Sequence, residues 1–263
     1  MIKRVLTIAG SDSGGGAGIQ ADLKTFSAFG VYGMSVVTAV TAQNSVRVNS
    51  IVGLDPKFVS LQFESVFVDI GIDGVKTGML YSPGIVQVIA RKLEESSIPF
   101  IVVDPVIAAT GGDSLLQPES LEILKKELIP LATLVMPNIH EAEVLSEITI
   151  HSVDDMKTAA QKIYSLGCKA VLVKGGHLSG DAVDLLFDGK EFVRFTAPRI
   201  NTKNTHGTGC TYSAAVVANL TKGKSLREAI KISKIFVTKA IEQAFSLGKG
   251  YGPLNHFVNV GKA

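Results

Sequence analysis

Tryptophan is absent from this 263-residue chain, cysteine occurs twice, and no apolar run is long. Cys168 and Cys210 are too few for a disulfide framework, and no paired C-x-x-C spacing predicts structural zinc. No apolar run approaches the roughly 20 residues of a membrane-spanning helix. The apolar segment at residues 5–9 is too short for a signal-peptide core, because polar residues and glycines follow at once. These absences favour the reducing cytoplasm, with no membrane partner.

The chain also has little net charge. Its 26 basic and 24 acidic residues give a net charge of +2, and the basic residues are scattered. This pattern, without tryptophan, gives no sign of a nucleic-acid surface. The hydrophobic content of 46% suffices for one large α/β domain, although two small domains would also fit. No linker, repeat or low-complexity segment divides the chain, so we expect a single domain over residues 1–263.

Short runs rich in valine and isoleucine alternate with amphipathic segments along the chain. The predicted strands are residues 4–9, 35–42, 74–77, 100–104, 134–136 and 170–174. The predicted helices are residues 19–29, 56–68, 84–95, 118–127, 140–147, 153–166, 208–220 and 226–244. Residues 182–187 and 191–195 alternate around a Gly-Lys turn and predict a hairpin. Apolar strands between helices indicate an α/β fold, in which helices cover both faces of a mostly parallel sheet.

Polar residues follow nearly every predicted strand. They lie at residues 10–18, 43–45, 76–79, 104–106, 137–141 and 174–177. In sheets of this kind, ligands bind beyond the carboxyl ends of the strands. All six segments fall on that side of the predicted sheet, so together they predict one ligand site. This convergence is more specific than any single motif.

The glycine-rich loop at residues 10–18 is a weak signal by itself. It lacks the G-x-G-x-x-G spacing of dinucleotide-binding folds, and no acidic residue closes the second strand. It also lacks the Gly-Lys-Ser/Thr of a Walker A loop. A flexible strand–helix turn is an equally good interpretation.

A second glycine-rich loop, at residues 204–213, is the most informative segment. Its glycines and small hydroxyl residues directly precede the apolar run at residues 214–220, which predicts a buried helix. Free amides and the helix dipole at such an N-terminus favour a bound phosphate. Cys210 lies in the first turn, where the same field favours a thiolate. The alternative is that Cys210 is a small buried hydrophobe.

Three charged residues at predicted strand ends suit the same site. Asp104 and Glu141 are carboxylates of the kind that hold Mg²⁺, often through water, while the metal also binds phosphate oxygens. Lys174 precedes two glycines and is placed to reach a nucleotide phosphate. Each residue alone has an ordinary interpretation as a turn, helix-start or solvated residue. Their combination with a phosphate loop favours function.

Six segments of the chain carry a further pattern. They read AGSDSGGGAGIQAD at residues 9–22, KTGML at 76–80, DPV at 104–106, KGGH at 174–177, THGTGCT at 205–211 and GYGPLNH at 250–256. They resemble the hydroxymethylpyrimidine/phosphomethylpyrimidine kinases of thiamine synthesis, and the resemblance covers essentially the whole chain. It implies the ribokinase-like fold, a three-layer αβα arrangement around a mostly parallel sheet. It also implies ATP- and Mg²⁺-dependent phosphorylation of a hydroxymethyl group, and then of the resulting monophosphate.

The resemblance implies a role for each matching residue. Those near the phosphates and the metal are an anion hole at Gly207, Thr208 and Gly209, a cation at Lys174, and Mg²⁺-associated groups at Asp104, Asn138 and Glu141. Those near the substrate are Gln43 at the pyrimidine edge, Gly10, Met79 and Val106 around the ring, and Asp22 near the transferred phosphates. Sugar kinases of the superfamily place an aspartate base where this chain has Cys210, as the pyrimidine kinases do. A thiolate there needs a lowered pKa, which the helix terminus would supply.

Two alternatives stay open. Pyridoxal kinases act on a similar flat ring with a hydroxymethyl arm, although the Gln43 amide suits a ring nitrogen beside an exocyclic amine. A non-catalytic pyrimidine or nucleotide sensor is the second, but a sensor need not retain the acidic pair, the anion loop and Cys210. The two C-terminal helices and the hairpin are also compatible with a homodimer.

Overall fold

A nine-stranded sheet runs through the computed structural model, which describes residues 1–107, 115–176 and 180–259. Its strands are β1 (Arg4–Asp12), β2 (Tyr32–Gln43), β3 (Val48–Gly53), β4 (Gly74–Thr77), β5 (Ile101–Val103), β6 (Leu134–Val135), β7 (Val171–Gly175), β8 (Ala182–Phe187) and β9 (Phe192–Ala197). They are ordered β3-β2-β1-β4-β5-β6-β7-β8-β9. His177, part of the predicted KGGH segment, lies outside the described residues.

The six central strands from β2 to β7 are parallel, as the alternating pattern predicts. The predicted hairpin is also present, because β8 pairs antiparallel with both β7 and β9. Strand β3 was not predicted. It pairs antiparallel with β2 at the sheet edge, and its residue Val52 is 63% exposed. An edge strand without a buried face lacks the apolar run that reveals the other strands.

Helices α1–α8 cover the sheet. They are α1 (Gly18–Ala28), α2 (Pro56–Asp69), α3 (Pro83–Glu95), α4 (Ser120–Ile123), α5 (Ile139–Ser146), α6 (Val153–Tyr164), α7 (Thr208–Thr221) and α8 (Leu226–Glu242). Helix α4 continues into a π turn at Leu124–Leu128, so the predicted helix at 118–127 is only partly α-helical. Among the described residues, no helix combines the length and apolarity needed to cross a membrane.

Alternating strand residues supply two separate cores. In β1, Leu6 and Ile8 pack with residues of α2, α3, α5 and α6, whereas Val5 belongs to the core that contains α7 and α8. In β7, Val171 and Val173 face the first core and Leu172 the second. Both faces of the central strands are therefore buried, which explains their continuous apolar sequences. The result is the expected three-layer αβα arrangement, with every parallel strand ending at one edge.

Candidate active site

The carboxyl edge of the sheet brings two groups of polar side chains together, some of them predicted from the sequence. The charged cluster comprises Asp22, Lys76, Asp104, Glu141 and Lys174. The loop cluster comprises Asp12, Gln43 and His206. Helix α7 begins beside both, since its first turn contacts the charged cluster and His206, which precedes the N-cap Gly207, belongs to the loop cluster.

The start of α7 has the geometry of an anion site. Gly207 caps the helix in the left-handed region, with φ of 84°, and no side chain caps it. In the described part of the chain, the amides of Gly209 and Cys210 donate to no backbone carbonyl. These N–H groups and the helix dipole are therefore available to an oxyanion. A methyl group on Gly207 would lie 1.8 Å from the carbonyl oxygen of Gly16, so only glycine fits.

Lys174 is a cation beside this helix start. Its Nζ lies 2.7 Å from Asp104 Oδ1, and the other Asp104 oxygen accepts a hydrogen bond from Ser213 at 3.1 Å. A methyl group on Gly209 would lie 3.2 Å from Lys174 Nζ, which places the ammonium against the first turn of α7. Burial opposes the charge of Lys174, but Asp104 and Glu141 outweigh it and raise its pKa. Lys174 is therefore charged and close to the anion site.

Glu141 is 3% exposed and serves the first turn of α5. Its carboxylate accepts from the amide of Asn138 at 2.8 Å, and the Asn138 side chain accepts from the amide of Glu141 at 2.9 Å. This reciprocal pair is a capping box. Burial raises the pKa of Glu141 to about 7, Lys174 opposes the shift, and Asp104 adds to it. The carboxylates of Asp104 and Glu141 are thus buried near each other and repel each other.

The predicted metal residues fit Mg²⁺ in their chemistry. Asp104, Asn138 and Glu141 all present hard oxygen atoms, and a divalent cation would relieve the repulsion that raises the pKa of Glu141. Within the described ranges, no group of three or more histidine, cysteine or acidic residues is arranged to hold a metal. Phosphate oxygens of a nucleotide would have to complete the coordination.

Asp22 and Lys76 form an ion pair that is completely buried, with 2.9 Å between Nζ and Oδ2. Thr7 donates to the same Asp22 oxygen at 2.6 Å. Asp22 has no exposed surface, and its role near the transferred phosphates stays a prediction. It pairs with Lys76, whose Nζ would lie 2.8 Å from a methyl group on Gly78. The sequence signal for Lys76 is a charged residue inside a strand of the predicted sheet, all of whose residues are buried.

Cys210 does not carry the expected thiolate. The residue is half-buried, and removal of its thiol from water raises the pKa to about 11. Lys76 and the amide of Gly18 oppose this shift, while Asp22 and Asp104 add to it. Desolvation and nearby carboxylates raise the pKa of the thiol, and they outweigh the helix dipole, which was expected to lower it. Burial therefore keeps the Cys210 thiol protonated at neutral pH.

Three of the predicted ring-pocket residues lie at neighbouring strand ends. Gly10 and Met79 are in contact, since a methyl group on Gly10 would lie 3.1 Å from Met79 Cε. Thr38 fixes this part of the chain by donating to the carbonyl of Met79 at 2.6 Å. Val106 is half-buried and follows Asp104, whose carbonyl accepts from its amide at 2.8 Å.

Gln43 ends β2 and is half-buried. Its backbone exchanges two hydrogen bonds with the Ser13 hydroxyl, at 2.8 and 2.9 Å. The side-chain amide lies between Thr41 Oγ1 at 3.2 Å and His206 Nε2 at 3.5 Å. The structure thus places Gln43 at the carboxyl end of β2, against a histidine that sequence reasoning missed, and its role at the pyrimidine edge stays a prediction.

Asp12 organises the loop cluster and was also missed. Its carboxylate accepts from the amides of Gly14, Gly16 and Ala17 at 2.7 to 3.0 Å, and from His206 Nε2 at 2.8 Å. Burial works against this charge, but the bonds from His206 and the amides outweigh it and lower the pKa of Asp12. An aspartate before three glycines was the available signal, because such a loop offers free amides.

The glycine-rich tail around Tyr251 returns over the loop cluster. The amide of Tyr251 donates to the carbonyl of Ser45 at 2.8 Å, and the amide of His206 donates to the carbonyl of Gly252 at 3.1 Å. Pro253 pairs with His206 in a short parallel bridge. Loops after β1 and β2, the loop before α7 and the tail therefore meet around His206.

Comparisons with known proteins agree with this geometry. The profile of the phosphomethylpyrimidine kinase family matches residues 12–255. The chain is 48% identical over 258 residues to the hydroxymethylpyrimidine/phosphomethylpyrimidine kinase of Bacillus subtilis, with 97% of this chain and 95% of that protein covered. It is 53% identical over 255 residues to the thiamine biosynthesis bifunctional protein ThiED of Geobacter sulfurreducens, covering 97% of this chain. The chain spans 52% of the length of that bifunctional relative.

A solved structure shares the fold. An ADP complex of Bacillus subtilis pyridoxal kinase superimposes with a TM-score of 0.90 and is 41% identical, covering 97% of this chain and 98% of the other. The ribokinase-like fold expected from the sequence is therefore confirmed.

Proposed function

The chain belongs to the phosphomethylpyrimidine kinase family, and on that premise we propose that it phosphorylates 4-amino-5-hydroxymethyl-2-methylpyrimidine and then its monophosphate. ATP is the phosphoryl donor, and the second transfer yields the pyrophosphate used in thiamine biosynthesis. The observation that carries the proposal is the uncapped start of α7 beside Lys174. Free amides and an adjacent ammonium suit the charge of a transferring phosphoryl group.

Each transfer exchanges one phosphorus–oxygen bond for another. The acceptor oxygen bonds to the γ-phosphorus of ATP, the bond from that phosphorus to the β–γ bridging oxygen breaks, and ADP leaves. In the first transfer the acceptor is the hydroxymethyl oxygen, which loses a proton. In the second it is a phosphate oxygen of the monophosphate. Gly209 and Cys210 amides stabilise the transferring group, and Lys174 neutralises the oxygen that leaves with ADP.

Cys210 is the proposed acceptor of the hydroxyl proton. Its thiolate is scarce at neutral pH, because burial raises the pKa of the thiol to about 11. Phosphoryl transfer depends on positioning and charge neutralisation more than on a strong base. A small thiolate fraction is therefore compatible with turnover, and it makes the rate depend on pH.

Mg²⁺ bound with the nucleotide would neutralise phosphate charge at this site. Asp104 and Glu141 are the residues that would hold it, through their carboxylate oxygens, and Asn138 orients Glu141 through the capping box. The repulsion between the two carboxylates is the feature of the chain that supports this assignment.

Gln43 distinguishes the pyrimidine from pyridoxal in this proposal. A 4-aminopyrimidine offers a ring acceptor beside an amine donor, and one amide satisfies both. Pyridoxal lacks that edge. The fold shared with a pyridoxal kinase makes the comparison between the two rings the decisive one.

The test is product identification by mass after incubation with Mg-ATP and either ring. We expect a monophosphate and then a pyrophosphate of the pyrimidine. Phosphorylation of pyridoxal alone would favour the alternative kinase, and transfer to neither ring would favour a sensor.

A pair of glycine variants tests the anion site. Gly207→Ala places a methyl group 1.8 Å from the Gly16 carbonyl oxygen and should abolish transfer. Gly223→Ala is the matched control, because Gly223 follows the same helix, has φ of 85°, and has no atom within 4 Å of the added carbon. Equal losses in both variants would show a backbone effect only.

A further inference from the structure

We propose that His206, held by Asp12, is a positioning residue that fixes the orientation of the Gln43 amide and thereby sets the preference for the ring. The inference rests on the proposed function, since it assigns a new residue to the reading of the substrate. Its basis is the loop cluster, where His206 Nε2 lies 2.8 Å from Asp12 Oδ2 and 3.5 Å from the Gln43 amide.

The protonation of His206 Nε2 follows from its partner. Asp12 carries a full negative charge, because three backbone amides and His206 lower its pKa despite burial. An anionic carboxylate at 2.8 Å accepts a hydrogen bond, so His206 Nε2 bears the hydrogen. Nε2 bears a hydrogen both in the neutral imidazole that is protonated at Nε2 and in the charged imidazolium.

A donor at His206 Nε2 determines which end of the Gln43 amide faces it. Two N–H donors repel, so the carbonyl oxygen of the amide belongs on the His206 side. The structure has Gln43 Nε2 at 3.5 Å from His206 Nε2 and Gln43 Oε1 accepting from Thr41 Oγ1 at 3.2 Å, so a rotation of the amide by 180° brings its oxygen to His206 and its nitrogen to Thr41. Thr41 can accept from it, since its own hydrogen is directed to the carbonyl of Ser11 at 3.0 Å.

Both neighbours of Gln43 thus favour one orientation of the amide. The orientation decides where the donor and the acceptor lie when a ring with an amine beside a nitrogen binds. An amide free to rotate by 180° would present the reverse pattern half of the time, and the site would lose part of its discrimination. His206 itself is held on three sides, by Asp12, by the Gly252 carbonyl and by contact with Gly16.

The variants separate hydrogen bonding from packing. His206→Phe retains a ring against Gly16 but removes the donor. His206→Gln restores a donor at the reach of Nε2. Gln43→Met removes the amide, and the double variant His206→Phe with Gln43→Met shows whether the two residues act together. His151→Phe, at an exposed histidine before α6, is the control for loss of an imidazole.

The kinetic readout is kcat/KM for hydroxymethylpyrimidine and for pyridoxal. We expect His206→Phe to lower the value for the pyrimidine by about 10-fold, the scale of one misplaced hydrogen bond, and to change that for pyridoxal by less than about 3-fold. His206→Gln should recover most of the loss. In the Gln43→Met background, His206→Phe should not change the ratio further. An equal loss for both rings, or an undiminished effect without Gln43, would overturn the proposal.

A second readout does not depend on turnover. The side-chain amide protons of Gln43 can be assigned by NMR through their loss in Gln43→Met. They should shift in His206→Phe and return toward the wild-type position in His206→Gln. Unchanged resonances in His206→Phe would overturn the inference even in a protein that acts on another ring. Absence of pyrimidine phosphorylation by the wild type, with shifted resonances, would instead refute the proposed function.

Discussion

The two clusters at the carboxyl edge hold their side chains in different ways. The charged cluster uses ion pairs, with Lys76 and Asp22 completely buried and Lys174 paired to Asp104 at 2.7 Å. The loop cluster has one carboxylate, Asp12, which backbone amides and a histidine surround. A buried cluster of positive and negative side chains suits a highly charged ligand, because the charge of the ligand adds to the electrostatic interactions among those side chains. A charge-poor cluster of directed hydrogen bonds suits a neutral ring.

The difference also separates rate from selectivity. In the proposed reaction the charged cluster meets the group being transferred, so changes there should alter the rate for every acceptor. In the same proposal the loop cluster meets the acceptor itself, so changes there should alter the choice between acceptors. The following experiments are expected to separate these two effects.

Loss of the Lys174 cation should have the largest effect. Lys174→Met should lower kcat by about 1,000-fold for both rings, since one preorganised cation at the transferring group is removed. The matched control is Lys234→Met, because Lys234 pairs with Asp184 at 2.6 Å with similar burial. That control should lose stability by about 3 kcal/mol but retain kcat in the folded protein. Equal kcat in the two variants would contradict the role of Lys174.

Cys210→Ser should lower turnover by about 100-fold, the range for loss of a general base. The pH profile identifies the cause. Below its pKa of about 11, the thiolate fraction rises with pH, so a single-turnover rate should rise about tenfold per unit from pH 7 to 9. The serine variant should lose this slope. Cys168→Ala, at a buried thiol whose pKa is raised to about 12, should keep it. A flat wild-type profile would refute the base role.

Glu141→Gln should raise the Mg²⁺ concentration for half-maximal activity by about 10-fold. Glutamine at this position can still complete a capping box, so α5 should begin normally. Glu228→Gln provides the matched control, because Glu228 forms the same capping box with Ser225 at the start of α8. A Mg²⁺ requirement that is unchanged in Glu141→Gln would show that the residue only caps the helix.

His256 should have the smallest effect on catalysis at neutral pH. It is buried, and desolvation lowers its pKa to about 4, while Thr211 Oγ1 lies 2.9 Å from Nε2. The unfolded chain takes up a proton near pH 6.5 that the native ring resists, so stability should fall as pH drops from about 6.5 to 4. His256→Gln should remove about 2 kcal/mol of this acid sensitivity in urea unfolding, and His151→Gln should not. Parallel curves for wild type and His256→Gln would contradict this.

The sequence allowed the central sheet to be predicted because its strands are buried on both faces. The strand predicted at residues 74–77 has the same bounds as β4, and the rule that parallel strands end together placed Asp104, Glu141 and Lys174 at one edge. Strand β3 was missed because an exposed edge strand needs no apolar face. The homodimer and the cytoplasmic location stay predictions.

Pairings between distant residues could not be predicted. Asp12 and His206 are 194 positions apart, and Lys76 and Asp22 are 54 positions apart, so no local pattern connects them. The pKa of Cys210 was expected to fall, since the helix start was visible in the sequence. The sequence did not show how completely the site excludes water, nor that Asp22 and Asp104 lie near the thiol. Desolvation depends on the finished packing and therefore required the structure.

The contact between Gly207 and Gly16 also limits how this chain can recombine with its relatives. The two loops lie back to back, with room for neither a methyl group on Gly207 nor one on Gly16 beside His206. A crossover anywhere between residues 18 and 204 would join one parent's first loop to the other parent's second. In such chimeras the two loops that meet at Gly207 and Gly16 would come from different parents and would not have been selected to pack together, even where the rest of the sheet is interchangeable. Shuffled libraries that transfer residues 10–18 and 204–209 as one block should therefore contain more active members than libraries that separate them.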